Sequence, residues 1–245
     1  MNSLQNSHSI SPWFLIAGCL FLLVASYIVG AVIHAQRAGA RTLLLVAQAE
    51  HFPRRYSLGT GVPLRYVMLG DSTAMGVGCE RFEQTVAYQN AASLATDRTV
   101  SVTNLGISGA RLRDVIDAQL PEVSGRYDVI TVLVGANDAT HLTSTQSFWN
   151  DLQQLISTLT PISGRLILVT PPNFTGTPAL PGPIRLLVTS HSYAERQAVL
   201  QAAGSLGVVD LFKDGQLRMD QFAADGFHPN ASGYAFWATL FAKQL

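Results

Sequence analysis

Four short, polar, glycine-containing segments carry side chains suited to acyl transfer. They are Gly70-Asp71-Ser72, Asn104-Leu105-Gly106-Ile107-Ser108-Gly109, Gly135-Ala136-Asn137-Asp138 and Asp225-Gly226-Phe227-His228-Pro229-Asn230. A serine hydroxyl is a weak nucleophile and needs a general base within hydrogen-bond reach. His228 can supply that base, since imidazole changes charge near neutrality. Asp225, three residues earlier, can hold the far ring nitrogen, fix the tautomer and stabilise the imidazolium. The negative oxygen of a tetrahedral intermediate then needs donors. The backbone N–H of Ser72, the backbone N–H of Gly109 and the side-chain amide of Asn137 are the candidates, and a glycine at 109 keeps a Cβ out of the way of an approaching substrate.

Each segment alone is weak. Gly70-Asp71-Ser72 also reads as a turn or a helix cap, and Asn137-Asp138 as a turn or N-cap. Asp138-x-x-His141 repeats the spacing of Asp225-x-x-His228. Two features favour the later pair, the following Pro229 and its place on a separate late loop. A metal site made of Asp138, His141, Asp225 and His228 lacks a recognisable ligand spacing. His8, His34, His51 and His191 have no comparable context. Phe227, Phe174 and Trp149 suit either a substrate pocket or the core.

The elements that must position these residues alternate. Strand-like runs at 64–69, 100–105, 128–134, 165–170 and 208–212 are separated by helical segments near 85–95, 111–120, 146–159, 183–203 and 231–245. This rhythm predicts an α/β domain with a mainly parallel five-stranded sheet and helices on both faces. Open parallel sheets bind ligands beyond the carboxyl ends of their strands. The first three polar segments directly follow the first three strands, and the fourth comes after the fifth.

Taken in order, the four segments resemble the blocks of the SGNH hydrolases, also called GDSL esterases and lipases. Gly70-Asp71-Ser72 with Gly76 downstream matches the first block, Asn104 to Gly109 the second, Gly135-Ala136-Asn137-Asp138 the GxND block and Asp225 to Pro229 the DxxHP block. The resemblance covers about Leu64 to the C-terminus. It implies a flavodoxin-like three-layer α/β/α fold, Ser72 as nucleophile, His228 with Asp225 as its activating pair, and Ser72, Gly109 and Asn137 as the oxyanion hole. It further implies no metal or organic cofactor and a carboxylic-ester substrate: a lipid ester, a thioester or an O-acetyl group on a glycan. An acyltransferase could use the same site, and a noncatalytic binding module is the third reading. A G-x-S-x-G elbow is absent because Ala74 fills its last place, which argues against the α/β-hydrolase fold.

The 245 residues suit one such domain plus an appendage. Formal net charge is zero, with no basic stripe to suit a nucleic-acid partner. Pro12 to Ile33 carries no charged side chain and is long enough to span ~30 Å of hydrocarbon as a helix. A cleaved signal peptide is the rival reading, with Ala38-Gly39-Ala40 as a cleavage site, but the apolar run exceeds the usual length and no basic residue precedes it. Arg37, Arg41, Arg54 and Arg55 follow the span, so the positive-inside rule puts the catalytic domain on the cytoplasmic side. The expected organisation is thus a transmembrane anchor over 1–36, a connector over 37–63 with a short helix from Arg41 to His51, and the hydrolase-like domain over 64–245.

Overall fold

The computed structural model describes residues 12–245; His8 and the start of the expected anchor lie outside them. In chain order the elements are α1 (Pro12–Ala49), β1 (Arg55–Leu58), β2 (Val62–Gly70), α2 (Ser72–Met75), α3 (Val86–Leu94), β3 (Arg98–Asn104), α4 (Leu112–Asp114), β4 (Tyr127–Leu133), α5 (Ala136–Thr140), α6 (Thr145–Leu159), β5 (Ser163–Val169), α7 (Gly182–Ala203), β6 (Gly207–Val209), α8 (Leu211–Asp214) and α9 (Ala231–Phe241). The sheet order is β1-β3-β2-β4-β5-β6. Strands β2 to β6 pair in parallel, which is the flavodoxin-like order of the expected five strands.

A sixth strand, not anticipated from the sequence, extends the sheet. β1 pairs antiparallel with β3, Tyr56 opposite Val102. It has only four residues, alternating between exposed and half-buried, so its periodic signal is faint. Residues 37–63, read from the sequence as a connector, are therefore divided. Up to Ala49 they prolong α1, and 55–58 join the sheet. No proline interrupts the chain between Pro12 and Pro53, and the side-chain positions at Gly18, Gly30 and Gly39 face open space, so nothing breaks the helix earlier.

Alternation along β2 builds the layers. Leu64, Tyr66 and Met68 face one core with Val86, Ala87 and Ala91 of α3 and Tyr234, Trp237 and Phe241 of α9. Val67 and Leu69 face the other core, with Phe148, Leu152, Leu155 and Leu159 of α6 and Ala198, Val199 and Ala203 of α7. Successive strand side chains point to opposite faces, so one strand nucleates both cores. The helix expected over 111–120 is broken instead. After α4 comes one π turn, Val115–Gln119, then a 3-10 turn, Leu120–Glu122. Pro121 cannot continue an α-helical ladder, and the π turn aims the fully buried Gln119 at the end of β2.

α1 stands apart from both cores. It is long and apolar enough to cross a membrane, and Leu20 to Val24, Ile28, Val29 and Val32 are exposed. Its 38 residues extend ~57 Å, more than a bilayer's hydrocarbon requires.

Candidate active site

β2 ends where the strand order reverses, flanked by β3 and β4. The segments leaving these three strands therefore meet over one crevice. Gln119 fixes the end of β2 as a strand neighbour would: its side-chain carbonyl accepts from Gly70 N–H at 2.9 Å, and its amide donates to Gly70 O at 2.7 Å. Ser72 follows as the first residue of α2. Asp71 caps that turn, accepting from Thr73 N–H at 2.8 Å and Thr73 Oγ1 at 2.6 Å. Burial pushes the Asp71 carboxyl above its ordinary range, although the Thr73 bonds act the other way.

Ser72 is 5% exposed and His228 3%. Ser72 Oγ lies 2.8 Å from His228 Nε2, and His228 Nδ1 lies 2.6 Å from Asp225 Oδ2. With Nδ1–H donating to the carboxylate, Nε2 is the free acceptor for the serine proton. Asp225 Oδ1 accepts from the N–H groups of Phe227 at 2.9 Å and His228 at 3.1 Å. Burial acts to raise the Asp225 pKa, but the bond and charge of His228 and these two N–H groups outweigh it and hold the carboxyl below its usual range. The Phe227 ring meets the imidazole edge to face at 5.3 Å and stacks on the buried Phe174 at 5.7 Å. These aromatics locate the histidine ring, while Trp149 packs against the core on the α6–α7 side of the sheet.

The expected oxyanion donors are also at this edge. Asn137 lies in α5, just past β4, and its amide donates to Ala110 O at 3.0 Å. That bond ties Asn137 to the Gly109 loop and leaves its second amide hydrogen without a protein acceptor among the described residues. Gly109 has φ +81°, and a side chain there would meet nothing within 4 Å among the described residues, so its backbone borders open space there. Gly106 is needed for the opposite reason: a Cβ there would stand 2.5 Å from Met75 N. Asn104 joins the two loops, donating to Ala74 O at 2.7 Å and accepting from Gly106 N–H at 3.0 Å.

The rival pair does not assemble. Asp138 is buried and accepts from Leu112 N–H at 2.9 Å, which caps α4; burial pushes its pKa to about 6. His141 is exposed and turns Nδ1 to Asn137 O at 2.8 Å. Asp138, His141, Asp225 and His228 do not converge as ligands: among the described residues no three His, Cys, Asp or Glu side chains are grouped to hold a metal ion. His51 is exposed, His191 is half-buried, and His34 contacts Pro178 O at 3.0 Å.

Two side chains at this site escaped the sequence reading. Gln119 is one. Thr42 of α1 is the other, its Oγ1 donating to Asp225 Oδ2 at 3.0 Å. Neither belongs to a local motif, and the signal the sequence does carry for a break in the 111–120 helix is Pro121.

A flavodoxin-like sheet with this serine–histidine–aspartate edge is the architecture of a GDSL-like hydrolase. The model of the GDSL-like lipase/acylhydrolase family matches residues 68–236, and the chain belongs to that family of esterases and acylhydrolases. The GDSL-like esterase Rv1075c of Mycobacterium tuberculosis is 29% identical over 238 residues, covering 82% of this chain and 75% of that protein. Among solved structures, the acetylxylan esterase Axe2 of Geobacillus stearothermophilus shares the fold with a TM-score of 0.56 at 18% identity, over 76% of this chain and 96% of its own. The lipase/acylhydrolase of Enterococcus faecalis does so with a TM-score of 0.56 at 22% identity, over 74% and 94% respectively.

Proposed function

We propose that the protein hydrolyses carboxylic esters through an acyl-enzyme on Ser72. The observation that carries this reading is the continuous hydrogen-bond relay from Ser72 Oγ through His228 to Asp225. His228 Nε2 takes the hydroxyl proton as Oγ attacks the ester carbonyl carbon. The resulting oxyanion is held by the N–H groups of Ser72 and Gly109 and the Asn137 amide. Nε2 then returns the proton to the departing alcohol, leaving an acyl group on Oγ. Water, deprotonated by the same nitrogen, releases the acid. Asp225 stays ionised throughout and orients the imidazole. The chemistry draws on side chains and backbone amides alone.

A second reading, acyl transfer to an acceptor other than water, has one observation in its favour: Ser72 and His228 are almost wholly buried, and transfer requires that water be kept out. Fluorophosphonate labelling of the full-length protein, compared with Ser72→Ala, tests the common step. Labelling and ester turnover should both vanish in the variant, and turnover surviving in Ser72→Ala, or an adduct on Ser108, refutes the reading. Product analysis with an added alcohol or sugar acceptor separates hydrolysis from transfer.

We also propose that residues 1–36 are a single-pass anchor and that the catalytic domain, spanning 64–245 and joined through 37–63, faces the cytoplasm. The helix is long and apolar enough, and the arginines at 37, 41, 54 and 55 all follow the apolar run. Protease added to intact spheroplasts should leave the domain uncut; its digestion reverses the orientation. A mature chain beginning near Arg41 would show a cleaved signal peptide.

A further inference from the structure

α1 continues past its apolar stretch and docks on the hydrolase fold by one face. His34, Arg41 and Gln48 recur every seventh residue, two helical turns apart. They contact Pro178 O at 3.0 Å, Ala224 O at 3.1 Å and Glu80 O at 3.0 Å. One of these carbonyls, Ala224 O, adjoins Asp225, so the helix is seated against the site and not merely tethered near it.

Thr42 is on the docked side. Its single hydroxyl proton has two acceptors in range, Ala38 O at 3.1 Å and Asp225 Oδ2 at 3.0 Å. A carboxylate is the stronger acceptor, so the proton goes to Asp225. A carboxylate offers about four acceptor positions. Phe227 N–H, His228 N–H and His228 Nδ1–H fill three, and Thr42 fills the fourth.

Beside Thr42 lies a cavity of about 570 Å³ between α1 and the domain. Leu43, Val46 and Phe52 form one wall; Met75, Phe82 and Ile107 form the other. Three polar side chains in its lining are engaged, Asn104 with Ala74 O, Arg54 with Gly106 O and Thr85 with Phe82 O, and Glu50 and Ser108 line it as well. The wall formed by Gly106, Ile107 and Ser108 runs directly into Gly109, and Met75 closes the turn begun by Ser72. The space is of ligand size, far larger than an acetyl group needs. Each methylene buried in such a site is worth about fourfold in affinity.

We propose that α1 completes the active site, Thr42 as a positioning residue for Asp225 and Leu43 with Val46 as the wall of an acyl site that takes the apolar chain of a medium- to long-chain ester. This rests on the Ser72 mechanism above and deepens it. The test uses full-length protein in one detergent, with p-nitrophenyl octanoate and p-nitrophenyl acetate as substrates, so that partitioning cancels between variants. Val46→Trp should lower the octanoate-to-acetate ratio of kcat/KM by about tenfold. Thr42→Val should lower kcat on both esters by about tenfold, the worth of one hydrogen bond to a charged group. It should also move the acid limb of the pH profile upward, because Asp225 then leans harder on the imidazolium; Thr42→Ser should restore both. If Val46→Trp does not fold, Leu43→Trp, at an exposed position, carries the same comparison. An unchanged chain-length ratio, or a Thr42→Val enzyme with the wild-type rate and pH profile, overturns the proposal. Either result with Ser72 still labelled by fluorophosphonate overturns it alone, whereas turnover in Ser72→Ala overturns the mechanism beneath it.

Discussion

Replacing Glu195 by glutamine should stabilise the protein at neutral pH and flatten the pH dependence of its stability. Glu195 lies on α7, 1% exposed, and neither oxygen of its carboxyl group has a hydrogen-bond partner among the described residues. Burial, reinforced by the charge of Asp138, pushes its pKa from 4.5 to about 9. The folded protein therefore keeps a proton that the unfolded chain has lost. Below pH 4.5 both states are protonated and Glu195 costs nothing by this route. Between 4.5 and about 9 stability falls by ~1.4 kcal/mol per pH unit, and above that range the cost is constant. At pH 7 it is about 3 kcal/mol. Glutamine keeps the shape and cannot ionise, so Glu195→Gln should gain about that much at pH 7 and almost nothing at pH 4.5. For a chain of this size the gain corresponds to a rise in Tm of roughly 6–12 °C. Thermal unfolding of both proteins in the same detergent from pH 4.5 to 8 measures the difference directly. Asp138, also raised by burial, titrates in both proteins and drops out of it. A Tm difference that does not grow with pH would mean that Glu195 is ionised in the folded state, and the reasoning fails.

Three further outcomes test the site. His228→Ala should be nearly as damaging to ester turnover as Ser72→Ala, since nucleophile and base act as a unit, while Asp225→Ala should cost less; full activity in His228→Ala with loss in His141→Ala would exchange the two pairs. Asn137→Ala should lower kcat by ~10²–10³ with a smaller change in KM, because its amide bonds best to the developing negative charge; a change confined to KM would assign it to substrate binding. Gln119→Leu should leave the N–H of Gly70 unpaired in the interior, at about 1–3 kcal/mol, while the Gly70 C=O keeps its bond from Ile107 N–H, and an unfolding midpoint equal to wild type would show that water replaces the side chain.

Much of this was legible in the residues because the information was local. Asp128–Val134 reads as a buried strand because β4, Tyr127–Leu133, is central and packed on both faces. α6 begins at Thr145 behind the cap of Ser144, and its apolar positions Phe148, Leu152 and Leu155 follow the helical period. Loops that follow parallel strands must share one sheet edge, so the order of the four segments sufficed to bring Ser72, Gly109 and Asn137 near one another. β1 was not legible, since a short edge strand buries too little to leave a pattern. Nor was the break after α4, where a tertiary contact of Gln119 with Gly70 overrides helical propensity.

The sequence by itself determined the doubly wound sheet, the chemical roles available at its carboxyl edge and the apolar stretch of α1, because each depends on periodicity, turn chemistry or residue type within a few positions. The sequence favoured Asp225–His228 over the identically spaced Asp138–His141, and the tertiary structure sets that pair against Ser72; only the tertiary structure decided that α1 reaches back to the site. Thr42 and Asp225 are 183 residues apart. A contact between such distant segments arises from the angle at which α1 meets the domain and the face it presents there, and these are set by packing across the whole fold rather than by any local run of residues.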